Sequence, residues 1–287
     1  NGLFKNLGNW EFKNISKEAG VGAPGMSSTG AAFGDLDGDG DLDLFVTSCG
    51  GPNALLINDG TGRFTNQTKA AGVEALKIGS TSVALGDVDM DGDLDIYVTN
   101  YGETSVLRSG GSVSVRVVNG KQVVTGKYSN RIRIMDGDFV EVGEPDFLYI
   151  NDGNAKFTKT DWLDGNWLDE NGEPLKKEFW DLGLSVMIRD INQDGLPDIY
   201  NCNDFQTPDR LWVNKGNGRF QLVDEKAIRH RSYFAMAVDF ADINRDGHDD
   251  FFVADMKSPN HLLEMTQIGV TNPFAKPIDE FIDRPII

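Results

Sequence analysis

The chain has 287 residues, of which 39% are hydrophobic and 25% charged, a composition that suits a globular protein with a large core. Its formal net charge of −18 argues against nucleic acid and anionic membranes as partners, because both require a basic surface. No apolar run approaches the roughly 18 residues needed to span a bilayer, so we expect no direct membrane insertion, and the 33 glycines predict many tight turns.

The first predicted element is a β-hairpin in LFKNLGNWEF, where a short apolar run, an Asn/Gly-rich turn and a second run follow one another. The pattern recurs as LLINDGTGRF, LYINDGNAKF and LWVNKGNGRF, which start at Leu55, Leu148 and Leu211. A Pro-Asx pair, which is typical of a turn, precedes each of these three hairpins. The pairs are Pro52-Asn53, Pro145-Asp146 and Pro208-Asp209, and Pro259-Asn260 repeats the pattern ahead of HLLEM.

Acidic segments with the pattern D-x-[DN]-x-D-G-x-x-D lie between the hairpins and occur four times. They begin at Asp35, Asp87, Asp190 and Asp242, so the starts are 52, 103 and 52 residues apart. One apolar run enters each segment and another leaves it, which adds two strands to each hairpin. Four strands at a period near 50 residues are typical of a β-propeller blade. A β-sandwich is the alternative, but two motifs that recur in the same order favour the propeller.

These motifs predict an all-β fold, a single β-propeller domain of four-stranded antiparallel blades. The blade units span about 1–21 (last two strands only), 28–73, 80–160, 182–224 and 233–265. Because the chain opens on half a blade and ends without a clear final hairpin, we expect about four blades of a longer ring, in a piece of a longer protein. A small closed ring, completed by the N-terminal hairpin, is the alternative.

The acidic segment is similar to an EF-hand loop that is shortened at its end. Oxygen ligands at loop positions 1, 3 and 5 and a backbone carbonyl at position 7 suit a hard cation, and glycine at position 6 makes the sharp turn. A carboxylate at position 9 completes the set. All-oxygen ligation favours Ca²⁺ over zinc or copper, and Mg²⁺ is a poorer fit because it prefers to keep its waters. A solvated acidic turn would not explain the recurring glycine.

The candidate metal ligands are therefore positions 1, 3, 5, 7 and 9 of each copy, with position 7 lending only its carbonyl. They are Asp35, Asp37, Asp39, Asp41 and Asp43; Asp87, Asp89, Asp91, Asp93 and Asp95; Asp190, Asn192, Asp194, Leu196 and Asp198; and Asp242, Asn244, Asp246, His248 and Asp250. The two asparagines each remove a negative charge, which predicts weaker binding in the third and fourth loops. Four Ca²⁺ would move the net charge from −18 to −10.

We expect this calcium to be structural, because energy released on binding becomes folding energy. The weak affinity that is typical of extracellular sites predicts an extracellular, periplasmic or cell-surface location.

Two insertions interrupt the repeat. The connection from Asp95 to Pro145 takes 50 residues, against 9 or 10 in the other units, so 101–144 is an insertion with hairpins predicted around Asn119-Gly120 and Asp136-Gly137. It gathers Arg108, Arg116, Lys121, Lys127, Arg131 and Arg133 in an otherwise acidic chain. In a propeller, the insertions and the acidic loops belong to opposite faces, and long loops on a rigid scaffold are where binding usually occurs.

The second insertion, 161–181, contains Trp162, Trp167 and Trp180, three of the five tryptophans of the chain. They could stack on a sugar ring, or they could fix the loop to the ring of blades, because tryptophan is usually largely buried.

No catalytic residue is nominated. The three histidines show no zinc spacing, G-x-S-x-G is absent, and GVGAPG at Gly20 follows a hairpin strand and contains proline, so it does not indicate dinucleotide binding. The carboxylates of Asp204, Asp209 and Asp255 in the connections of the insertion face could act as acid and base, or could cap turns.

The repeated units GDLDGDGDLDLFV and LLINDGTGRFTNQTKAAGV resemble the FG-GAP/VCBS repeats of integrin-α-type propellers. GEPDFLYINDG, DLGLSVMIRDINQDGLPDIYNCNDFQTPDRLW and DFADINRDGHDDFFVADM are similar to bacterial ASPIC/UnbV proteins, relatives of cartilage acidic protein. The resemblance implies an extracellular calcium-binding propeller, commonly seven-bladed, and carries the loop positions over as calcium ligands. It implies no substrate.

The function that we predict is an interaction or adhesion module that binds a protein or glycan through the insertion-bearing face. The alternative is a carbohydrate-active enzyme, a polysaccharide lyase or glycosidase, on the same scaffold. Calcium is the expected cofactor, and the sequence assigns no oligomeric state.

Overall fold

A computed structural model describes residues 2–22, 25–75, 78–103, 105–106, 113–135, 138–205, 207–228, 232 and 234–256. Over these residues the fold is all-β, with short strands and single-turn helices. The hairpin predicted at Pro259-Asn260, the turn at Asp136-Gly137 and Arg108 lie outside the described residues. No helix in the described part of the chain has the length and apolar character needed to cross a membrane.

The first elements are a two-stranded hairpin and a complete four-stranded antiparallel sheet. The hairpin consists of β1 (Phe4–Gly8) and β2 (Glu11–Asn14), and α1 (Ser16–Ala19) follows it. The first blade consists of β3 (Ser28–Gly34), β4 (Asp43–Ser48), β5 (Ala54–Asn58) and β6 (Phe64–Asn66), paired in chain order, and α2 (Thr68–Ala71) follows it. The two helices, which the strand patterns did not predict, each end at a glycine in the left-handed conformation, at Gly20 and Gly72.

The second blade contains the first insertion between its second and third strands. The blade strands are β7 (Ser80–Gly86), β8 (Asp95–Asn100), β13 (Phe147–Asn151) and β14 (Phe157–Lys159). The insertion forms two separate hairpins, which the sequence had predicted. They are β9 (Ser114–Val118) with β10 (Lys121–Thr125), and β11 (Ile132–Met135) with β12 (Asp138–Glu141), with a 3₁₀ turn at Ser129–Arg131 between them.

The third blade has a fifth strand that the sequence did not predict. Within the second insertion, β15 (Trp167–Leu168) pairs in parallel with the last strand of the blade. The other strands are β16 (Gly183–Arg189), β17 (Asp198–Asn203), β18 (Arg210–Asn214) and β19 (Phe220–Leu222), with a 3₁₀ turn at Glu225–Ala227 after them. The described part of the fourth unit is the antiparallel pair β20 (Ala235–Ala241) and β21 (Asp250–Asp255). The predicted all-β, four-stranded antiparallel architecture is thus confirmed.

The blades pack side by side through their first strands. β3 contacts β7, β7 contacts β16, and β16 contacts β20, so the first strand of each unit lies beside the first strand of the next. Leu36, at position 2 of the first acidic loop, is almost fully buried in a core cluster with Phe157 of the second blade. Val88 of the second loop is buried in the same way beside Trp212 and Phe220 of the third blade. Full burial of such a side chain stabilises the fold by about 1.5–3 kcal/mol.

Hydrogen bonds reinforce these seams at the same loop position. The side chain of Asn151 donates from Nδ2 to the carbonyl of Leu36 in the preceding blade (2.9 Å) and to Leu94 in its own blade (3.1 Å). Asn214 repeats the arrangement with the carbonyls of Val88 (2.7 Å) and Pro197 (3.0 Å). The asparagine at the end of the third strand therefore joins two blades in the second and third units, whereas Asn58 of the first blade donates to Leu42 of its own loop.

We predict that Asn214→Ala weakens the seam between the second and third blades. The change removes a buried donor from two carbonyls, and unsatisfied buried groups cost about 1–3 kcal/mol each, so the free energy of unfolding should fall by roughly 2–3 kcal/mol. Urea unfolding measures this. Lys215→Ala, at the exposed neighbouring residue, is the control and should leave the midpoint unchanged. Equal midpoints for wild type and Asn214→Ala would contradict the role of this asparagine.

Candidate metal loops and the insertion-bearing face

The four acidic loops share one backbone conformation. Position 6 is a glycine in every loop, with φ of 92° at Gly40, 100° at Gly92, 90° at Gly195 and 90° at Gly247. Position 4 is also left-handed, with φ of 76° at Gly38, 67° at Met90, 63° at Gln193 and 63° at Arg245. Side chains with a Cβ tolerate a φ near 60° at some cost but strongly disfavour a φ of 90° or more, which explains why only position 6 is always glycine.

The chain coils around the carboxylate at position 1. Asp35 accepts the backbone N–H of Gly38 at 2.9 Å and that of Gly40 at 3.0 Å. The same residue of the other loops accepts two backbone N–H groups in the same way. These acceptors are Asp87 (from Asp91 and Gly92), Asp190 (from Asp194 and Gly195) and Asp242 (from Asp246 and Gly247).

Position 7 takes part through its backbone, because its N–H donates to the carboxylate at position 5. The donors are Asp41, Asp93, Leu196 and His248, at 3.0, 3.0, 2.9 and 2.9 Å from Asp39, Asp91, Asp194 and Asp246. This contact is independent of the side chain, which accounts for the range of residues at the position.

Carboxylates converge in the first two loops. Oxygens of Asp35, Asp37 and Asp39 lie within 4.8 Å of one another, and so do oxygens of Asp87, Asp89 and Asp95.

The converging charges of these two loops are not fully compensated. Burial raises the pKa of Asp37, and the negative charge of Asp39 raises it further. The pKa of Asp89 is raised by burial and then by the charge of Asp91. Asp89 Oδ1 is buried and has no hydrogen-bond partner among the described residues. A hard divalent cation fits such a set of oxygens.

The third and fourth loops differ at position 3. Asn192 donates from Nδ2 to Asp194 at 3.0 Å, and Asn244 donates to Asp246 at 3.0 Å. The amide hydrogens thus partly replace the positive charge that a cation would supply. No three acidic side chains converge in these two loops as they do in the first two.

The aspartate at position 9 also fastens the loop to the hairpin of its blade. Asp43 is fully buried, and its two oxygens accept the backbone N–H of Leu36 (2.9 Å) and of Asn58 (2.8 Å). Asp95 and Asp198 make the equivalent pairs of bonds, to Val88 and Asn151 and to Ile191 and Asn214. The sequence predicted these residues as metal ligands but did not predict that they also bind the hairpin. The asparagine that recurs at the end of the third strand, whose backbone N–H they accept, was the available signal.

On the opposite face, the Pro-Asx pair caps the end of the second strand in the first three blades. Asn53 accepts the N–H of Ser48 at 2.9 Å, Asp146 that of Asn100 at 2.7 Å, and Asp209 that of Asn203 at 2.9 Å. Asp204 accepts the hydroxyl of Tyr101 at 3.0 Å and the N–H of Phe205 at 3.0 Å. Asp255 accepts the hydroxyl of Ser232 at 2.6 Å. These contacts favour turn capping over acid–base catalysis for Asp204, Asp209 and Asp255.

The residue that faces the Asx on the second strand differs between repeats according to the Asx. Where the Asx is aspartate, the facing residue on the second strand is a tyrosine whose hydroxyl donates to it; where it is asparagine, the equivalent residue is phenylalanine. The pairs are Tyr97 with Asp146 (3.2 Å), Tyr200 with Asp209 (3.1 Å), Phe45 with Asn53, and Phe252 with Asn260, of which Asn260 is outside the described residues.

The seam between the second and third blades contains a buried polar network. Asn201 lies where the other units have valine, and its Nδ2 donates to Tyr97 Oη at 2.8 Å and to Asp146 Oδ2 at 2.5 Å. Burial raises the pKa of Asp146 to about 7, against the hydrogen bonds that it accepts, and the negative charge of Asp181 contributes to the rise. Asp181 itself pairs with Arg210.

The two insertions are anchored to the ring and to each other. Arg131 lies 3.6 Å from both Glu141 and Glu144, and Glu144 accepts the N–H of Gly79 at 2.8 Å. The guanidinium of Arg133 in the first insertion stands 5.4 Å from the ring centre of Trp180 in the second. The adjacency of the insertions is therefore visible in direct contacts.

The tryptophans of the second insertion divide into two groups. Trp162 and Trp167 are buried against each other and against Trp212 of the third blade, so they fix the insertion to the ring and offer no face to a sugar. Trp162 Nε1 also donates to the backbone carbonyl of Asp146 at 3.0 Å. Trp180 is half-buried and lies at the surface between the insertions.

Consecutive four-stranded blades, joined at their first strands and each bearing an acidic loop between its first two strands, define a protein of the repeat-built β-propeller class. The chain belongs to the FG-GAP-like repeat family, whose model matches residues 1–46, 35–98 and 190–253.

Relatives of the chain include cartilage acidic protein 1. The chain is 25% identical over 220 residues to the Mus musculus and Homo sapiens proteins, which covers 73% of this chain and 34% and 33% of theirs. It is 25% identical over 283 residues to the Xenopus tropicalis protein, covering 86% of this chain and 43% of that protein. The chain therefore spans less than half the length of these relatives.

Among solved structures, one match is an Agrocybe aegerita lectin described as recognising non-reducing terminal N-acetylglucosamine. It is 16% identical and the match covers 87% of this chain and 67% of the lectin, with a TM-score of 0.29. A TM-score this low supports no conclusion about this chain.

We predict that Asp146→Asn alters the pH dependence of stability. A buried carboxyl with a raised pKa contributes stability that is present below its unfolded pKa of 3.8 and is lost as the pH rises through about 7. Asparagine stays neutral, so the free energy of unfolding of the variant should rise relative to that of wild type between about pH 5 and pH 8. The relative increase should be at least about 1 kcal/mol at the upper end. Urea unfolding at both pH values measures the difference.

The matched control for this experiment is Asp152→Asn, at an exposed turn residue, which should follow wild type. The double change Tyr97→Phe with Asp146→Asn recreates the Phe–Asn pair of the first blade and should fold. A stability difference between Asp146→Asn and wild type that is independent of pH would contradict the prediction.

Proposed function

We propose that the chain is a calcium-binding extracellular or surface propeller that acts as an interaction module, with a protein or glycan bound at the insertion-bearing face. The observation that carries the calcium assignment is the convergence of three carboxylates within 4.8 Å in each of the first two loops. Like charges at this spacing repel one another, and Ca²⁺ takes 6–8 oxygen ligands of this kind. The acidic third and fourth loops are weaker candidates because each presents an asparagine at position 3.

The extracellular assignment and the interaction role are supported by family membership and by the similarity to cartilage acidic protein 1, whose name associates it with cartilage. The choice of face is supported by the two insertions, which contact each other through Arg133 and Trp180. Acidic loops and insertions leave opposite ends of the same strands, so a structural metal at one end leaves the other end free for a partner.

We predict that removal of calcium destabilises the chain. Chelation should lower the melting temperature, because carboxylates that repel one another would lose their counter-charge, and excess Ca²⁺ should restore it. Differential scanning calorimetry with and without EDTA measures the change, with excess Mg²⁺ as the control for non-specific screening. An unchanged melting temperature in EDTA would overturn the calcium assignment.

We predict that two aspartates of the first loop respond differently to substitution. Asp37→Ala removes a proposed side-chain ligand and should weaken calcium binding at this loop at least tenfold, whereas Asp41→Ala keeps the position-7 carbonyl and should weaken it much less. Titration calorimetry reports the affinity and the number of sites. Equal losses in the two variants would contradict the division between side-chain and backbone ligands.

The interaction role is tested on glycan and protein arrays. Wild type should bind, and Trp180→Ala together with Arg133→Ala should reduce the signal, while Arg63→Ala on the calcium face should not. Product formation from a polysaccharide would instead support the enzyme alternative.

A further inference from the structure

The hairpin of β9 and β10 is a two-stranded sheet that pairs with no other described strand. All five residues of β9 are exposed, and so are the first three of β10. An isolated hairpin is marginally stable in water, and an open edge is a template for another strand. This hairpin therefore has the features of a surface completed by a partner.

The turn determines which backbone groups face outward. Asn119 and Gly120 both have positive φ, 51° and 75°, as a two-residue type I′ turn requires. The flanking pair Val118–Lys121 is then hydrogen-bonded, and pairs alternate along the ladder, so Val115 and Val117 direct their N–H and C=O groups away from β10. The β9 edge thus offers two donors and two acceptors to a third strand.

The side chains of the hairpin combine apolar and basic surface. Val117 is 71% exposed and Val118 is 50% exposed. Arg116 pairs with Val123 and Lys121 pairs with Val118, which places the two cations diagonally on one face, at about 7–8 Å between neighbouring positions. Methyl groups and cations therefore alternate along the surface beside the open edge.

Charge selects the partner. Residues 113–135 contain five Lys or Arg and no Asp or Glu. Arg131 is paired with Glu141 and Glu144, so the exposed cations that the hairpin itself presents are Arg116 and Lys121. A basic segment on such an acidic protein repels basic partners through the rest of the chain and attracts acidic ones locally.

We propose that the β9 edge binds an extended, acidic segment of a partner protein as a third strand. The proposal rests on the interaction function proposed above and specifies its ligand. A polyanionic glycan would match the charge, but it would leave the outward backbone groups and the exposed valines without partners. A peptide strand whose carboxylates alternate with apolar side chains satisfies all three features.

The test uses the full chain with Ca²⁺ and a fluorescein-labelled capped peptide, VETEVETE, followed by fluorescence anisotropy. Arg116→Glu and Lys121→Glu should each weaken binding at least tenfold. Val117→Pro removes an outward N–H and keeps the bonds within the hairpin, so it should abolish binding, whereas Gln122→Pro on the β10 edge should not. Arg219→Glu, an exposed cation of a turn on the calcium face, is the matched control and should bind like wild type.

Several results would overturn the proposal. The proposal would be wrong if VETEVETE does not bind or if VKTKVKTK binds equally well. It would also be wrong if Val117→Pro leaves peptide binding unchanged while dextran sulfate competes with the peptide, because that result would indicate a polyanion site. Self-association of the chain on gel filtration that Val117→Pro removes would assign the edge to a second copy. Array binding by wild type without peptide binding would reject this ligand and leave the interaction function standing.

Discussion

Backbone N–H groups directed at aspartate carboxylates are the interaction on which the rest of this molecule depends. In each described loop the carboxylate at position 1 accepts two of them, and Asp43, Asp95 and Asp198 at position 9 each accept one from the loop and one from the hairpin. Hydrogen bonds to a charged acceptor contribute about 1.5–3 kcal/mol each, more than neutral ones. They neutralise part of the acidic loop, but Oδ1 of Asp89 is buried with no hydrogen-bond partner among the described residues, within one of the two carboxylate clusters that we propose as cation sites.

The same loops determine how one blade meets the next. Position 2 inserts Leu36 or Val88 into the core of the following blade, and the carbonyl of the same residue accepts a hydrogen bond from the asparagine of that blade. A conformational change in one loop would therefore alter the packing against the neighbouring blade as well as the packing within its own blade. The proposed calcium sites thus lie next to the cores that are shared between blades, and these contacts between neighbouring repeats contribute to the stability of a repeat fold.

Sequence reasoning recovered the features that depend on neighbouring residues along the chain. The period, the four strands and the glycine at position 6 follow from local turn geometry, and Asn119-Gly120 alone was sufficient to predict a hairpin. The missed features depend on residues that are distant in sequence. The pairing of β15 with β19 and the second role of Asp43 require knowledge of what lies across the fold.

The seam beneath the insertions is where the repeat departs most from its own pattern. Asn201 replaces a valine in the core; Tyr97 and Asp146 accept its amide hydrogens, while its Oδ1 is buried with no hydrogen-bond partner among the described residues. The backbone carbonyl of Asp146 also accepts the indole N–H of Trp162, which holds the second insertion on the ring. Asp146 thus joins the polar seam through its side chain and the insertion through its backbone. A partner that displaced the insertion would therefore act directly on Asp146. The repeat thus departs from its apolar core pattern at the place where the fold supports the proposed binding surface.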